Sequence, residues 1–198
     1  MAKIRLTKNE LKKQKDDLAR FNRYLPTLQL KKQQLQIEIR KVEAVQRERR
    51  REQEQVVEEL MRWVDVFGEE LDLERLVEVE SFRTGTGNIA GIEIPLFLGL
   101  DFAETEYDLF RLPLWVDRAL ERLRDILRLE AELKVLDEQV RLLARELRVT
   151  TQRVNLFEKV KIPEARANIR RIRIYLGDQQ TAAVVRGKIA KRKLVRTA

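Results

Sequence analysis

The sequence predicts an all-α fold: a long antiparallel two-helix coiled coil with a small β-hairpin insert. Three observations carry that expectation. Apolar residues recur with a 3.5-residue period in two long runs, one toward each end of the 198-residue chain. Charged residues make up 37% and aromatics 6%, with only seven Gly and four Pro, which is the make-up of a long-helix protein and not of a globule. Between the runs lies a short Gly-rich stretch that alternates with a period of two. Such a chain describes a rod, with no pocket around which an active site could form.

The first helix is expected from about Thr7 to about Leu73, within an N-terminal segment spanning 1–73. Thr7 followed by Glu10 three residues later is a capping-box pattern, in which the hydroxyl and carboxylate satisfy open N–H groups of the first turn. One seam set is Leu11, Leu18, Leu25, Lys32, Ile39, Gln46, Gln53, Leu60 and Phe67. The interleaved set is Gln14, Phe21, Leu28, Leu35, Val42, Arg49, Val56 and Trp63. Twelve of these seventeen are apolar, so one period is held over eight heptads and a left-handed supercoil follows. Pro26 falls inside the helix and should kink it, since it supplies no N–H and its ring crowds the preceding turn. The seam turns polar at Gln46, Arg49 and Gln53, which reads either as register tuning or as a place where a partner docks.

The insert is expected over 74–112. Leu76 to Arg83 alternates as a strand, Thr84-Gly85-Thr86-Gly87-Asn88 reads as the turn, and Ile89 to Ile94 is the second strand, closed by Pro95. Residues 96–112 read as irregular. The third segment, 113–198, opens on Pro113, which suits a first helical position. Its seam sets are Ile126, Leu133, Val140, Leu147, Val154 and Leu129, Leu136, Leu143, Thr150, Phe157, nine of the ten apolar. The seam then shifts phase near Pro163 and resumes as Ile162, Ala165, Ile169, Ile172 and Leu176. Gly177 ends or bends that helix, and the basic tail beyond it can resume one.

The short connection favours antiparallel helices, because a parallel pair would need a connector spanning roughly 100 Å. Matching the helix ends near 72 and 117 pairs residues whose numbers sum to about 189, which puts Pro26 and Pro163 at one level.

Charge is segregated along the chain. Residues 1–51 hold 16 Lys/Arg against 6 Asp/Glu, residues 52–113 hold 4 against 16, and residues 114–198 hold 21 against 11. Antiparallel packing would bring the two basic ends together, suiting opposite poles to different partners. With no Cys and no His, thiolate or imidazole metal sites and His-assisted nucleophilic catalysis are excluded. No cofactor is expected. The Thr84–Asn88 run lacks the Gly-Lys-Ser/Thr of a phosphate loop, and Glu69, Glu70, Asp72 and Glu74 fit no calcium loop. The basic runs lack interleaved aromatics for base stacking, so nucleic-acid binding is disfavoured. Neither a signal region nor a bilayer-length apolar run is present, so a cytoplasmic protein without membrane insertion is expected.

Three stretches, in order, carry a family resemblance. Leu28-Gln29-Leu30-Lys31-Lys32-Gln33-Gln34-Leu35 resembles the Lys-rich first helix of the D subunit of V-type and A-type rotary ATPases. Gly91-Ile92-Glu93-Ile94-Pro95 resembles the strand of that family's central insert. Arg153-Val154-Asn155-Leu156-Phe157-Glu158, followed by Ile162-Pro163, resembles its most specific motif. The matching positions are Lys31, Lys32, Gly91, Pro95, Arg153, Asn155, Glu158 and Pro163. Pro26 and the segment Gly177 to Ala183 depart from the pattern.

The resemblance implies a non-catalytic central-stalk rotor element of a V/A-type ATPase/ATP synthase, carrying rotation between the catalytic hexamer and the ion-translocating rotor in the membrane. It implies the A and B subunits of the hexamer, the F subunit and the C/d connector as partners. The hairpin would lie at the membrane-proximal end, and the protein would sit on the cytoplasmic side, peripheral to the membrane. Arg166, Arg170, Arg171, Arg173, Lys188, Lys191, Arg192 and Lys193 are the expected contacts with the hexamer. The alternatives are a free-standing coiled-coil scaffold or tether and a basic coiled-coil arm that binds RNA.

Overall fold

A computed structural model describes residues 4–64, 76–103, 113 and 115–197. Helix α1 runs Lys8–Val64, strands β1 and β2 run Val79–Ile89 and Ile92–Phe102, and α2 runs Val116–Asn155. A π-helical segment, Leu156–Lys161, leads directly into α3, Ile162–Thr197. The expected helix end near Leu73, the acidic cluster Glu69, Glu70, Asp72 and Glu74, and residues 104–112 of the insert lie outside the described residues.

The start of α1 is capped as its sequence requires: the Thr7 hydroxyl oxygen accepts from the Glu10 N–H at 3.2 Å. Pro26 is accommodated without ending the helix. Every seam position expected from Leu11 to Leu60 is buried or half-buried, the polar ones included. The same holds for all ten positions from Ile126 to Phe157 and for Ile162, Ala165, Ile169, Ile172 and Leu176. Gly177 does not interrupt α3, and the basic tail continues it to Thr197.

The chain divides into two compact units. One combines Met1–Lys32 with Val149–Ala198, and the other is Gln33–Arg148. Within the second, Leu35, Val42, Leu136 and Leu143 form the buried cluster between α1 and α2. Antiparallel pairing is explicit there. Arg49 Nε donates to Glu132 Oε1 at 3.0 Å, Gln46 bonds to Asp137, and Arg122 lies 3.7 Å from Glu59. Within the first unit, Phe21 and Phe157 pack with ring centroids 5.2 Å apart, and Asn168 Nδ2 donates to Gln14 Oε1 at 3.4 Å.

These partners correct the expected register. Gln14 with Asn168, Arg49 with Glu132 and Glu59 with Arg122 give residue numbers summing to 182, 181 and 181, where matched helix ends suggested about 189. Pro163 therefore stands about two helical turns from the level of Pro26. Specific polar and apolar partners, and not the helix ends, set the alignment.

The hairpin forms, but its turn is elsewhere. Thr84 to Asn88 belongs to β1, and the reversal is made by Ala90 and Gly91, with φ of 54° and 80°. Two successive left-handed residues make the tight reversal whose twist matches that of the strands. The Gly-rich run sits in a strand because leucines of β2 lie over it: a Cβ on Gly87 would come within 2.9 Å of Leu96 Cδ1. Residues 96–102, expected to be irregular, continue β2, and Pro95 pairs with Thr86 inside the ladder. The register slips between Arg83 and Thr84, leaving Leu98 unpaired at a bulge.

The hairpin also packs against the helices. Ile89, Ala90 and Ile92 at its tip pack on the Leu35–Leu143 cluster. Buried Gln139 of α2 donates from Nε2 to the Pro95 carbonyl at 2.6 Å. At the base, the guanidinium of Arg128 sits 5.2 Å from the Phe102 ring centroid. The insert thus runs along α2 as a second layer, which explains why α2 buries Val135 and Gln139 in addition to its seam.

Candidate functional site

In the unit made of both chain ends, α3 presents Arg166, Arg170 and Arg173 at intervals of four and three, the spacing that puts side chains on one helix face. Ile169 and Ile172, two buried seam residues, hold that helix against its partner. Lys15, Leu18 and Asn22 of α1 line the other side of the same groove, whose volume is about 750 Å³. The groove therefore has an apolar floor and four cations at its rim. None of the four is ion-paired among the described residues.

Of the cations singled out in the sequence, the structure gathers Arg166, Arg170 and Arg173. Arg171 is exposed but turned away from the groove, one residue being about 100° around the helix from the next. Lys188, Lys191, Arg192 and Lys193 lie exposed further along α3. Lys15 was not evident from sequence, because its membership depends on the register. The unit as a whole carries 23 Lys/Arg against 6 Asp/Glu, a net +17, while residues 33–148 carry 18 against 27, a net −9. The two basic chain ends are thus joined in one body.

Two of the polar seam residues, Gln46 and Arg49, are bonded to named partners. Arg49 holds Glu52 at 2.7 Å and Glu132 at 3.0 Å, and these two hydrogen bonds push its guanidinium above the ordinary arginine range. Gln46 and Arg50 both reach Asp137. The bonds that cross from α1 to α2, Arg49 to Glu132 and Gln46 and Arg50 to Asp137, support the register-setting reading of the seam, since each is satisfied at only one alignment.

The motif positions have distinct local roles. Gly91 makes the reversal, and the Pro95 carbonyl is the acceptor for Gln139. Lys31 and Lys32 are half-buried on α1. Arg153 and Asn155 close α2, exposed, and Glu158 is exposed within the π segment. Pro163 follows that segment, and the N–H of Ile162 bonds to the Phe157 carbonyl five residues back. The motif thus coincides with the wide turn. Among the described residues, no group of three or more His, Cys, Asp or Glu is placed to hold a metal ion. No helix among them is long and apolar enough to cross a membrane.

These features define a class: an antiparallel helical coiled-coil protein with a two-stranded insert seated along one helix, its charge divided between two bodies. The family model for the D subunit of ATP synthase matches residues 10–192. The V-type ATP synthase D subunit of Borreliella burgdorferi is 52% identical over 99% of this chain and 97% of its own length. The corresponding proteins of Chlamydia muridarum and Chlamydia pneumoniae are 33% and 32% identical, over 98% and 96% of the chain and 97% and 93% of their own lengths. The chain belongs to the ATP synthase D-subunit family of V-type complexes.

Proposed function

We propose that this protein is the central-stalk rotor shaft of its V-type ATP synthase, a non-catalytic element that carries rotation between the A/B hexamer and the membrane rotor. The observation that carries the reading is the union of both chain ends in a single body of net +17. A shaft must be held inside a sleeve without locking to one position in it. The buried apolar residues of this body, Val154, Ile162, Ala165, Ile169 and Ile172, are those of its own seam, while Arg166, Arg170 and Arg173 are exposed. Contacts made by such solvated cations can be exchanged at low cost as the shaft turns.

In this reading the basic groove and the tail residues Lys188, Lys191, Arg192 and Lys193 face the A and B subunits. The acidic body carrying the hairpin faces the C/d connector on the membrane side, and the F subunit binds its flank. The complex sits at the cytoplasmic face of the membrane, coupling ATP synthesis or hydrolysis to proton or sodium transport. An asymmetric shaft would present a different surface to each catalytic site as it turns and so bias their nucleotide affinities in sequence.

Joint substitution Arg166→Gln, Arg170→Gln and Arg173→Gln tests this. The three side chains are exposed, so folding should survive. The expected result is weakened assembly with the hexamer, or hydrolysis uncoupled from ion transport. Wild-type assembly and coupling in the triple variant would overturn the assignment of this groove.

A further inference from the structure

The phase of the second seam carries information beyond the shaft reading. Buried or half-buried positions run Leu136, Val140, Leu143, Leu147, Thr150, Val154 and Phe157, alternating intervals of four and three. The next is Ile162, five residues on, and then Ala165, Ile169, Ile172 and Leu176 resume threes and fours. A single surplus residue therefore lies between Phe157 and Ile162. The π segment Leu156–Lys161 absorbs it, its hydrogen bonds reaching one residue further back than in an α-helix.

That segment is thinly held. It contains no buried residue, and Leu156 and Val160 are 43% and 48% exposed. Pro163 just beyond supplies no N–H, removing a further rung. The opposing helix is weakened at the same level. Phe21 packs on Phe157, and the antiparallel run sets the turn Asn22–Pro26 across from the π segment and the turn before it. Pro26 leaves the carbonyl of Asn22 without its intrahelical partner. Each helix of the pair thus loses ladder hydrogen bonds at the level where Phe21 meets Phe157, the one seam position between buried Val154 and Ile162.

We infer that the π segment Leu156–Lys161 and the facing Asn22–Pro26 turn form a compliant joint, a level at which this helix pair yields more readily than elsewhere. The surplus residue maintains the joint, because without it the seam would run 154, 157, 161, 164, 168 and 171, an unbroken heptad. Deleting Val160 should turn the π segment into an ordinary α-helix and leave the groove on Arg166, Arg170 and Arg173 in place.

Amide hydrogen exchange on the full-length chain, wild type and Val160 deletion, tests this directly. In the wild type, amides 157–166 should exchange on the order of tenfold faster than those of 140–150, as expected of a locally opening segment. In the deletion variant that contrast should vanish and the melting temperature should rise. Uniform wild-type exchange across 140–166 would overturn the joint, as would a deletion variant that melts lower or keeps the contrast. Neither readout involves partner subunits, so failure of the shaft reading would leave this result standing.

Discussion

Leu143 is fully buried at the centre of the α1–α2 cluster, with Leu35 beside it. Truncating it removes transfer energy and leaves a cavity that a stiff helix pair cannot readily close. Leu143→Ala should cost about 2–5 kcal/mol, read by denaturant unfolding. A cost below about 1 kcal/mol would mean that the cluster is not the core. The titratable residues make a second prediction. With no His and no Cys, no side chain has its ordinary titration between about pH 5 and 8, so the melting temperature should be level from pH 6 to 8. Below that range carboxylates decide. Hydrogen bonding from Arg141 holds the exposed Glu138 carboxyl below its ordinary value of 4.5. Its folded-state affinity for protons is lowered, so its stabilisation is present above the ordinary value and is lost as pH falls through the lower folded one. Thermal melts across pH 3–8 should therefore show a plateau and a decline on the acid side. A decline between pH 8 and 6 would contradict this.

At the scale of elements, the helices were legible because a coiled-coil seam writes its period directly into the sequence. Even the phase shift before Ile162 was visible, although its structural form, a π turn, was not: periodicity records a surplus residue without saying how the backbone absorbs it. The hairpin was legible as a hairpin and misplaced in detail. Gly85 and Gly87 resemble turn glycines but serve as room for Leu98 and Leu96 from the opposite strand. The real reversal uses Ala90, a residue type that seldom marks a left-handed position. Gly91 has φ of 80° and nothing within 4 Å of where a Cβ would stand, so any cost of substitution there is conformational and not steric. Gly91→Ala should destabilise the protein by about 1 kcal/mol. A neutral result would place that strain elsewhere in the turn. The seating of the hairpin through Gln139 and Pro95 was beyond sequence reasoning, because it joins residues of unrelated periodicities across 44 positions.

At the scale of the whole molecule, composition and charge said most about function, and they did so by exclusion and by segregation. The +17 body is the sum of two chain ends far apart in sequence, and only antiparallel pairing makes them one surface. Arg166, Arg170 and Arg173 could be singled out as a basic run, whereas Lys15 needed the register to join them, and the register needed the structure. The absence of cysteine also supplies the most direct test of the shaft reading. Arg173→Cys introduces the sole thiol of the chain at the rim of the groove, where a short photoactivatable cross-linker can be attached before assembly with the other subunits. The account predicts cross-links from position 173 to the nucleotide-binding A and B subunits, identified by mass spectrometry of the assembled complex. Cross-links confined to a second copy of this chain or to RNA, with the A and B subunits unlabelled, would contradict it.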